Sequence, residues 1–136
     1  MSDVFTKPER SRIMSRVKGR DTRPELAVRS MLHRMGCRFR LHVRTLPGVP
    51  DIVMPRRRKI VFVHGCFWHG HENCRRAGRP SSNTEFWKRK LDGNLARDRE
   101  QIAALAESGW SVLVVWECEI KNGEALREKL KGFVEE

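Results

Sequence analysis

Residues 62–74 concentrate side chains that can do chemistry, since they hold three histidines, two cysteines and the adjacent pair Phe67-Trp68 directly after an apolar segment. Thiolate and imidazole are the ligands that zinc prefers, and a structural zinc site takes four ligands with no open position. Cys66 and Cys74 with one histidine supply three, so a fourth has to come from elsewhere in the chain. The stretch therefore predicts a zinc site.

The fourth ligand and the choice of histidine stay open on spacing alone. Cys118 ends an apolar segment and is the natural fourth ligand, while Cys37 is its alternative by composition. Two residues separate Cys66 from His69, and two residues separate His71 from Cys74. Spacing therefore does not choose between the two histidines. The competing interpretation is a set of buried free thiols beside incidental histidines, and the density of the cluster favours zinc over it.

A carboxylate is predicted to lie beside this stretch. Asp51 opens an apolar segment, and a four-residue turn separates that segment from the next one, which ends in His64. Antiparallel pairing across the turn sets Met54 opposite Lys59 and Asp51 opposite Phe62. Directly opposed residues share a face of a sheet. Asp51 and His64 therefore project to the same side, at the end of a strand pair.

Composition indicates the kind of partner. The chain has 136 residues with 28 Lys and Arg against 17 Asp and Glu, a net charge of +11. Such an excess favours a polyanionic partner, above all nucleic acid, because neutralised phosphates release counterions. The length suits one domain over residues 1–136. Neither a membrane-length apolar run nor a secretory signal is found, so a cytoplasmic protein is expected.

The first helix is expected to begin after Asp21 or Thr22 as N-cap and to end at Gly36, with Leu26 among its core-facing residues. Glu25 falls in its first turn, where the helix dipole favours an anion. From the residues alone, Glu25 is therefore a surface residue that complements the dipole.

Four further elements complete an α/β pattern. They are a half-exposed strand over 38–43, a helix over 84–107, a central strand covered on both faces over 111–116, and a last helix over 123–134. On the longer helix Trp87, Lys90, Asn94 and Arg97 fall at i, i+3, i+7 and i+10 and form a single stripe.

Residues 1–20 form a basic arm. If the arm lies on DNA, Met14 and Arg20 are its predicted contacts. A loosely docked, solvated terminus explains the same composition equally well.

The motif FVHGCFWH at residues 62–69, with PD at 50–51, TEFW at 84–87 and VWEC at 115–118, resembles the very short patch repair (Vsr) DNA mismatch endonucleases over residues 10–119. This resemblance implies an α/β, restriction-endonuclease-like core of the PD-(D/E)xK type, a mixed sheet with helices on both sides. It also implies nicking of one strand of double-stranded DNA at T:G mismatches, which deamination of 5-methylcytosine produces.

The resemblance assigns the catalytic residues. Asp51 matches the magnesium-binding aspartate, and Val63, which stands where the family has threonine, matches the residue whose main-chain carbonyl binds the same ion. His69 corresponds to the general base or proton relay and His64 to its support. Glu25 matches a carboxylate that helps hold metal-bound water, a role beyond that of a dipole-complementing residue.

The resemblance also assigns structural Zn²⁺ to Cys66, His71, Cys74 and Cys118. Two residues separate His71 from Cys74 here, where better-known members have one.

The expected DNA surface consists of aromatic residues that wedge into the base stack and of helix positions near the bases. These residues are Phe67, Trp68, Trp87, Lys90 and Asn94.

The implied partners are double-stranded DNA and, by family, mismatch-repair proteins, and the protein is expected to act as a monomer beside the nucleoid. Two other functions stay open: a restriction-type nuclease or nickase that cuts intact sites, and a zinc-stabilised DNA-binding module without activity.

Overall fold

A computed structural model describes residues 21–136 of the chain. The basic arm, with the predicted DNA contacts Met14 and Arg20, lies outside the described residues. The elements are α1 (Arg23–Arg34), β1 (Arg40–Leu41), β2 (Ile52–Met54), β3 (Lys59–His64), α2 (Thr84–Glu107), β4 (Ser111–Trp116) and α3 (Gly123–Glu135). Short 3-10 helices cover Arg75–Ala77 and Glu117–Lys121.

The four strands form one mixed sheet in the order β1-β2-β3-β4. β1 pairs with β2 and β2 with β3 in antiparallel fashion, whereas β3 and β4 run parallel. Met54 pairs with Lys59 across the turn, so the predicted hairpin register is confirmed.

Two expectations about the strands are wrong. In the described part of the chain β4 lies at the sheet edge, and β2 and β3 take the inner positions. The run 111–116 is apolar because its alternate residues pack into two different core clusters, Leu113 and Val115 on one face and Val112 and Val114 on the other. Apolar cover on both faces therefore does not make a strand central. The strand predicted over 38–43 is reduced to β1.

Helices cover both faces of this sheet. Side chains alternate along strands, so Ile52 and Val61 pack against α1 and α3, in a cluster that includes Val28, Leu32, Leu126 and Leu130. Val53 and Ile60 face the other way, onto Leu105 and Ile102 of α2. The predicted mixed α/β sheet with flanking helices is confirmed. Within the described residues, no helix combines the length and apolarity needed to span a bilayer.

The inner face of α1 differs from the prediction. Thr22 caps the helix by accepting from the Glu25 N–H at 3.4 Å. Val28 is buried in the core, and Glu25, one turn before it on the same face, is only 2% exposed. Leu26 lies a further 100° around the helix and is 50% exposed, because the inner stripe passes through Glu25 instead.

Candidate active site and metal centre

The two halves of the site meet because β3 and β4 are parallel neighbours. His64 ends β3 and pairs with Trp116, which ends β4. The segments that follow, one containing Cys66 and the other Cys118, therefore leave the sheet at the same end, where β3 and β4 terminate. The Cys66 N–H donates to Glu117 Oε1 at 3.1 Å and ties the two segments together.

Four side chains converge at that end of the sheet. The ligand atoms of Cys66, His71, Cys74 and Cys118 all lie within 4.8 Å of one another, and Cys118 Sγ is 3.5 Å from His71 Nδ1. Tetrahedral zinc with Zn–S bonds of about 2.3 Å needs ligand atoms roughly 3.7 Å apart. The donor types and the close approach both fit a structural zinc ion.

The chemistry of the cluster also fits a cation. Cys66 is fully buried, and burial raises the pKa of its thiol to about 12. Such a thiol ionises only when a positive charge lies beside it. The His71 ring stacks on Trp116 with ring centroids 4.2 Å apart, which orients the imidazole. Cys37, the alternative ligand, is buried in the core beneath α1 and α3 instead.

A cleft of about 550 Å³ lies beside this cluster. All four predicted catalytic residues line it, and the predicted metal-binding Val63 joins them: Glu25, Asp51, Val63, His64 and His69. Asp51 Oδ2 accepts from the Val63 N–H at 2.7 Å, so the predicted aspartate is fixed against the end of β3.

Two carboxylates face each other in the cleft. Burial raises the pKa of Asp51 to about 7, the Val63 N–H opposes this rise, and the negative charge of Glu25 adds to it. A divalent cation would relieve this repulsion, and Mg²⁺ commonly uses one or two carboxylates while it keeps several waters. Oxygen ligands from Asp51, Glu25 and the Val63 main chain fit that ion.

Glu25 is held by three hydrogen-bond donors. Its Oε2 accepts from the Asp21 N–H at 3.2 Å, from the Arg29 guanidinium and from His42 Nε2 at 3.0 Å. A buried carboxylate needs such partners. Glu25 is therefore held in place within the site by hydrogen bonds. Its position in the first turn of a helix did not indicate this role.

The two histidines form a pair. The rings of His64 and His69 stack with centroids 3.8 Å apart and planes 6° from parallel. Burial, helped by the neighbouring His69, lowers the pKa of His64 to about 3, so His64 is neutral at physiological pH. His69 Nδ1 lies 2.7 Å from Asp98 Oδ2. Because a carboxylate accepts, Nδ1 carries the proton and Nε2 is left as the basic nitrogen.

Asp98 is a residue that the sequence analysis missed. It lies on α2, one turn beyond Asn94 and three turns beyond Trp87. The stripe through those two residues extends to Asp98 at i+11, and that extension is the signal that could have found it.

The predicted DNA surface forms the rim of the cleft. Phe67, Trp68 and Trp87 make an aromatic cluster with ring centroids 5.0 to 6.0 Å apart. Trp68 and the exposed Lys90 both line the cleft. Asn94 lines it too, but its amide donates to the Trp68 carbonyl at 2.9 Å and so braces the aromatic loop.

Comparisons with known proteins agree with this arrangement. A family model described as DNA mismatch endonuclease Vsr matches residues 2–76. The type II nicking enzyme V.XorIIP of Xanthomonas oryzae is 49% identical over 135 residues, covering 99% of this chain and 98% of the relative. The type II nicking enzyme V.NmeAIP of Neisseria meningitidis is 42% identical, with coverage of 100% and 96%. The DNA mismatch endonuclease Vsr of Escherichia coli is 42% identical over 139 residues, with coverage of 98% and 88%.

Proposed function

Since the chain belongs to the Vsr family of DNA mismatch endonucleases, we propose that it nicks one strand of double-stranded DNA at T:G mismatches left by deamination of 5-methylcytosine. One observation carries the proposal: the aromatic cluster of Phe67, Trp68 and Trp87 borders the cleft that holds Asp51 and His69. Apolar wedges unstack base steps at a cost of a few kcal/mol, and mismatched steps open most easily.

The reaction is hydrolysis of a phosphodiester. Water attacks the phosphorus as it passes a proton to a base, and the bond to the leaving oxygen breaks as that oxygen takes a proton from solvent water. The carboxylates of Asp51 and Glu25, with the Val63 carbonyl, would hold Mg²⁺, which supplies positive charge at the phosphate and acidifies water. The scissile phosphate would then lie at the end of β3, beside these residues.

His69 is the proton-transfer residue of this proposal. Asp98 accepts from His69 Nδ1–H, so Nε2 is free to take a proton from the attacking water. The stacked, neutral His64 sets the plane of the His69 ring without competing for the proton.

Zinc serves as a brace in this proposal. Cys66 and His71 flank the segment that carries Phe67, Trp68 and His69, so an ion bound to both fixes where those three side chains point. The restriction-endonuclease-like core, the single domain over residues 1–136 and the DNA-contacting arm belong to the same proposal. So do a monomeric state, a cytoplasmic location and mismatch-repair partners.

The main alternative is a nickase that cuts intact sites. The names of two relatives favour it, since V.XorIIP and V.NmeAIP are called type II nicking enzymes. The two functions differ in the substrate they require, because a nickase of intact sites does not depend on a mismatch.

End-labelled duplexes that differ in one base pair, T:G against T:A and C:G, separate these functions when Mg²⁺ is supplied. We expect one strand of the T:G duplex to be nicked and the T:A and C:G duplexes to stay intact. Equal cutting of all three duplexes would refute the mismatch proposal. Asp51→Ala serves as the catalytic control. If it nicked like the wild type, the protein would have to be a DNA-binding module whose cutting comes from a contaminant.

A further inference from the structure

His42 has an unusual main-chain conformation beside the cleft. It directly follows β1 and has a φ of +48°, in the left-handed region. Non-glycine residues enter this region at a cost, and they persist where surrounding contacts hold them. Its N–H donates to the carbonyl of Asp51 at 3.2 Å. The backbone of His42 is thus tied to the aspartate of the proposed magnesium site.

The His42 side chain turns toward both carboxylates of that site. Its Nε2 is 3.0 Å from Glu25 Oε2, and its Nδ1 is 4.0 Å from Asp51 Oδ1. The imidazole is 14% exposed, so these contacts are shielded from water.

Donor chemistry decides how His42 binds Glu25. Arg29 Nη2 lies 3.2 Å from His42 Nε2 and also donates to Glu25 Oε2. A guanidinium can only donate, and an ionised carboxylate can only accept. The arrangement in which Glu25 is fully satisfied has Nε2–H and Arg29 both donating to its Oε2. The close approach of the two nitrogens then follows from their sharing one acceptor.

The same group of residues does not need a cation of its own. Asp21, Glu25 and His42 bring potential ligand atoms within 4.8 Å of one another. Arg29, however, binds both carboxylates of that group, with its Nη2 2.6 Å from Asp21 Oδ1. Its guanidinium already supplies the positive charge, so His42 is better explained by what it does to Glu25 and Asp51.

We propose that His42 is a positioning residue of the divalent-cation site, which fixes Glu25 through its side chain and Asp51 through its main chain. The inference rests on the proposed function for the identity of that site. It assigns no substrate contact and no proton transfer to His42. Its effect is on how well the two carboxylates are placed to share one ion.

The test measures cation affinity without turnover. Ca²⁺ binds oxygen ligands and can be titrated by calorimetry into the zinc-loaded, full-length protein in the absence of DNA. We expect His42→Ala to weaken Ca²⁺ binding roughly tenfold, the usual effect of losing a hydrogen bond to a charged group. His42→Gln keeps an N–H donor in about the same place and should retain most of the affinity.

His33→Ala is the matched control, because His33 is exposed near the end of α1. Zinc content and melting temperature of each variant report whether it folds, and His42→Gln keeps the test decisive if His42→Ala does not. In nicking assays, His42→Ala should raise the Mg²⁺ concentration for half-maximal rate and leave the Kd for DNA unchanged.

Three results would overturn the inference: Ca²⁺ affinity in His42→Ala equal to that of His33→Ala, equal losses in the alanine and glutamine variants, or a wild-type protein that binds no Ca²⁺. A wild-type protein that binds Ca²⁺ but does not nick T:G duplexes would refute the proposed function alone. The His42 effect on Ca²⁺ affinity would still stand in that case.

Discussion

Asp98 Oδ2 lies 2.7 Å from His69 Nδ1 and joins α2 to the loop that follows β3. The pair is partly shielded, with side-chain exposures of 17% and 30%. A carboxylate that accepts a hydrogen bond from one ring nitrogen fixes the tautomer and the ring orientation of the histidine. Proton transfer by His69 should therefore depend on Asp98, a residue of a helix that is distant from His69 in sequence.

Asp98→Asn is expected to lower the single-turnover nicking rate about 10- to 100-fold, the usual cost of losing such a partner. The Kd for T:G DNA should change little, because Asp98 supports His69 and does not belong to the aromatic rim. Quenched-flow nicking with saturating enzyme measures the rate, and fluorescence anisotropy measures the Kd.

Asp92→Asn provides a matched control on the same helix. Asp92 is exposed and pairs with Arg79 at 2.5 Å, outside the residues that line the cleft. If the two asparagine variants nick at the same rate, the Asp98–His69 contact has no catalytic role.

The raised pKa of Asp51 predicts that cation binding depends on pH. At about pH 7 half of the Asp51 carboxyls are protonated in the metal-free protein, and a proton competes with the cation. Affinity for Ca²⁺ should fall about tenfold for each pH unit below 7 and level off above it. Calorimetry from pH 5.5 to about 8.5 checks this slope, and a flat profile would contradict it.

The same shift has a consequence for stability. The folded protein holds a proton on Asp51 up to about pH 7, while the unfolded chain releases it near 3.8. Because the folded state binds the extra proton, the free energy of unfolding should fall as pH rises between those two values and change no further above pH 7. Asp51→Asn should lose this contribution to the slope, as magnesium-free thermal melts of both proteins would reveal.

Cys118→Ser is expected to remove zinc. The remaining ligands cannot close a tetrahedral site, and structural zinc contributes directly to folding. We expect zinc content by mass spectrometry of metals to approach zero, with a loss of roughly 3 kcal/mol or more in the free energy of unfolding. Cys37→Ser changes a buried thiol outside the cluster, so it should keep its zinc. Undiminished zinc in Cys118→Ser would remove that residue from the site.

The sequence predicted those features that depend on local pairing. The turn after Met54 fixed the strand register and thereby put Asp51 beside β3, where it binds the Val63 N–H. The edge position of β4 could not be predicted, because helix packing makes both of its faces apolar whichever strand is its neighbour. Asp98 and His42 were missed because their roles depend on which helix and loop pack against the cleft.

The aromatic rim should decide how well the protein distinguishes a mismatch. Trp68 contacts both Phe67 and Trp87, so its removal deletes two of the three ring contacts within the cluster. Base-aromatic stacking contributes about 1–3 kcal/mol per base, so Trp68→Ala should weaken T:G binding on the order of 10- to 100-fold. Binding to T:A duplex, where the base step is harder to open, should weaken less.

Trp110→Ala is the matched control, since Trp110 stacks on Arg58 beside the start of β4, at the end of the sheet remote from the cleft. Anisotropy gives the Kd, and 2-aminopurine placed beside the mismatch reports unstacking. Equal losses on T:G and T:A duplexes would show that Trp68 contributes general affinity and does not recognise the mismatch.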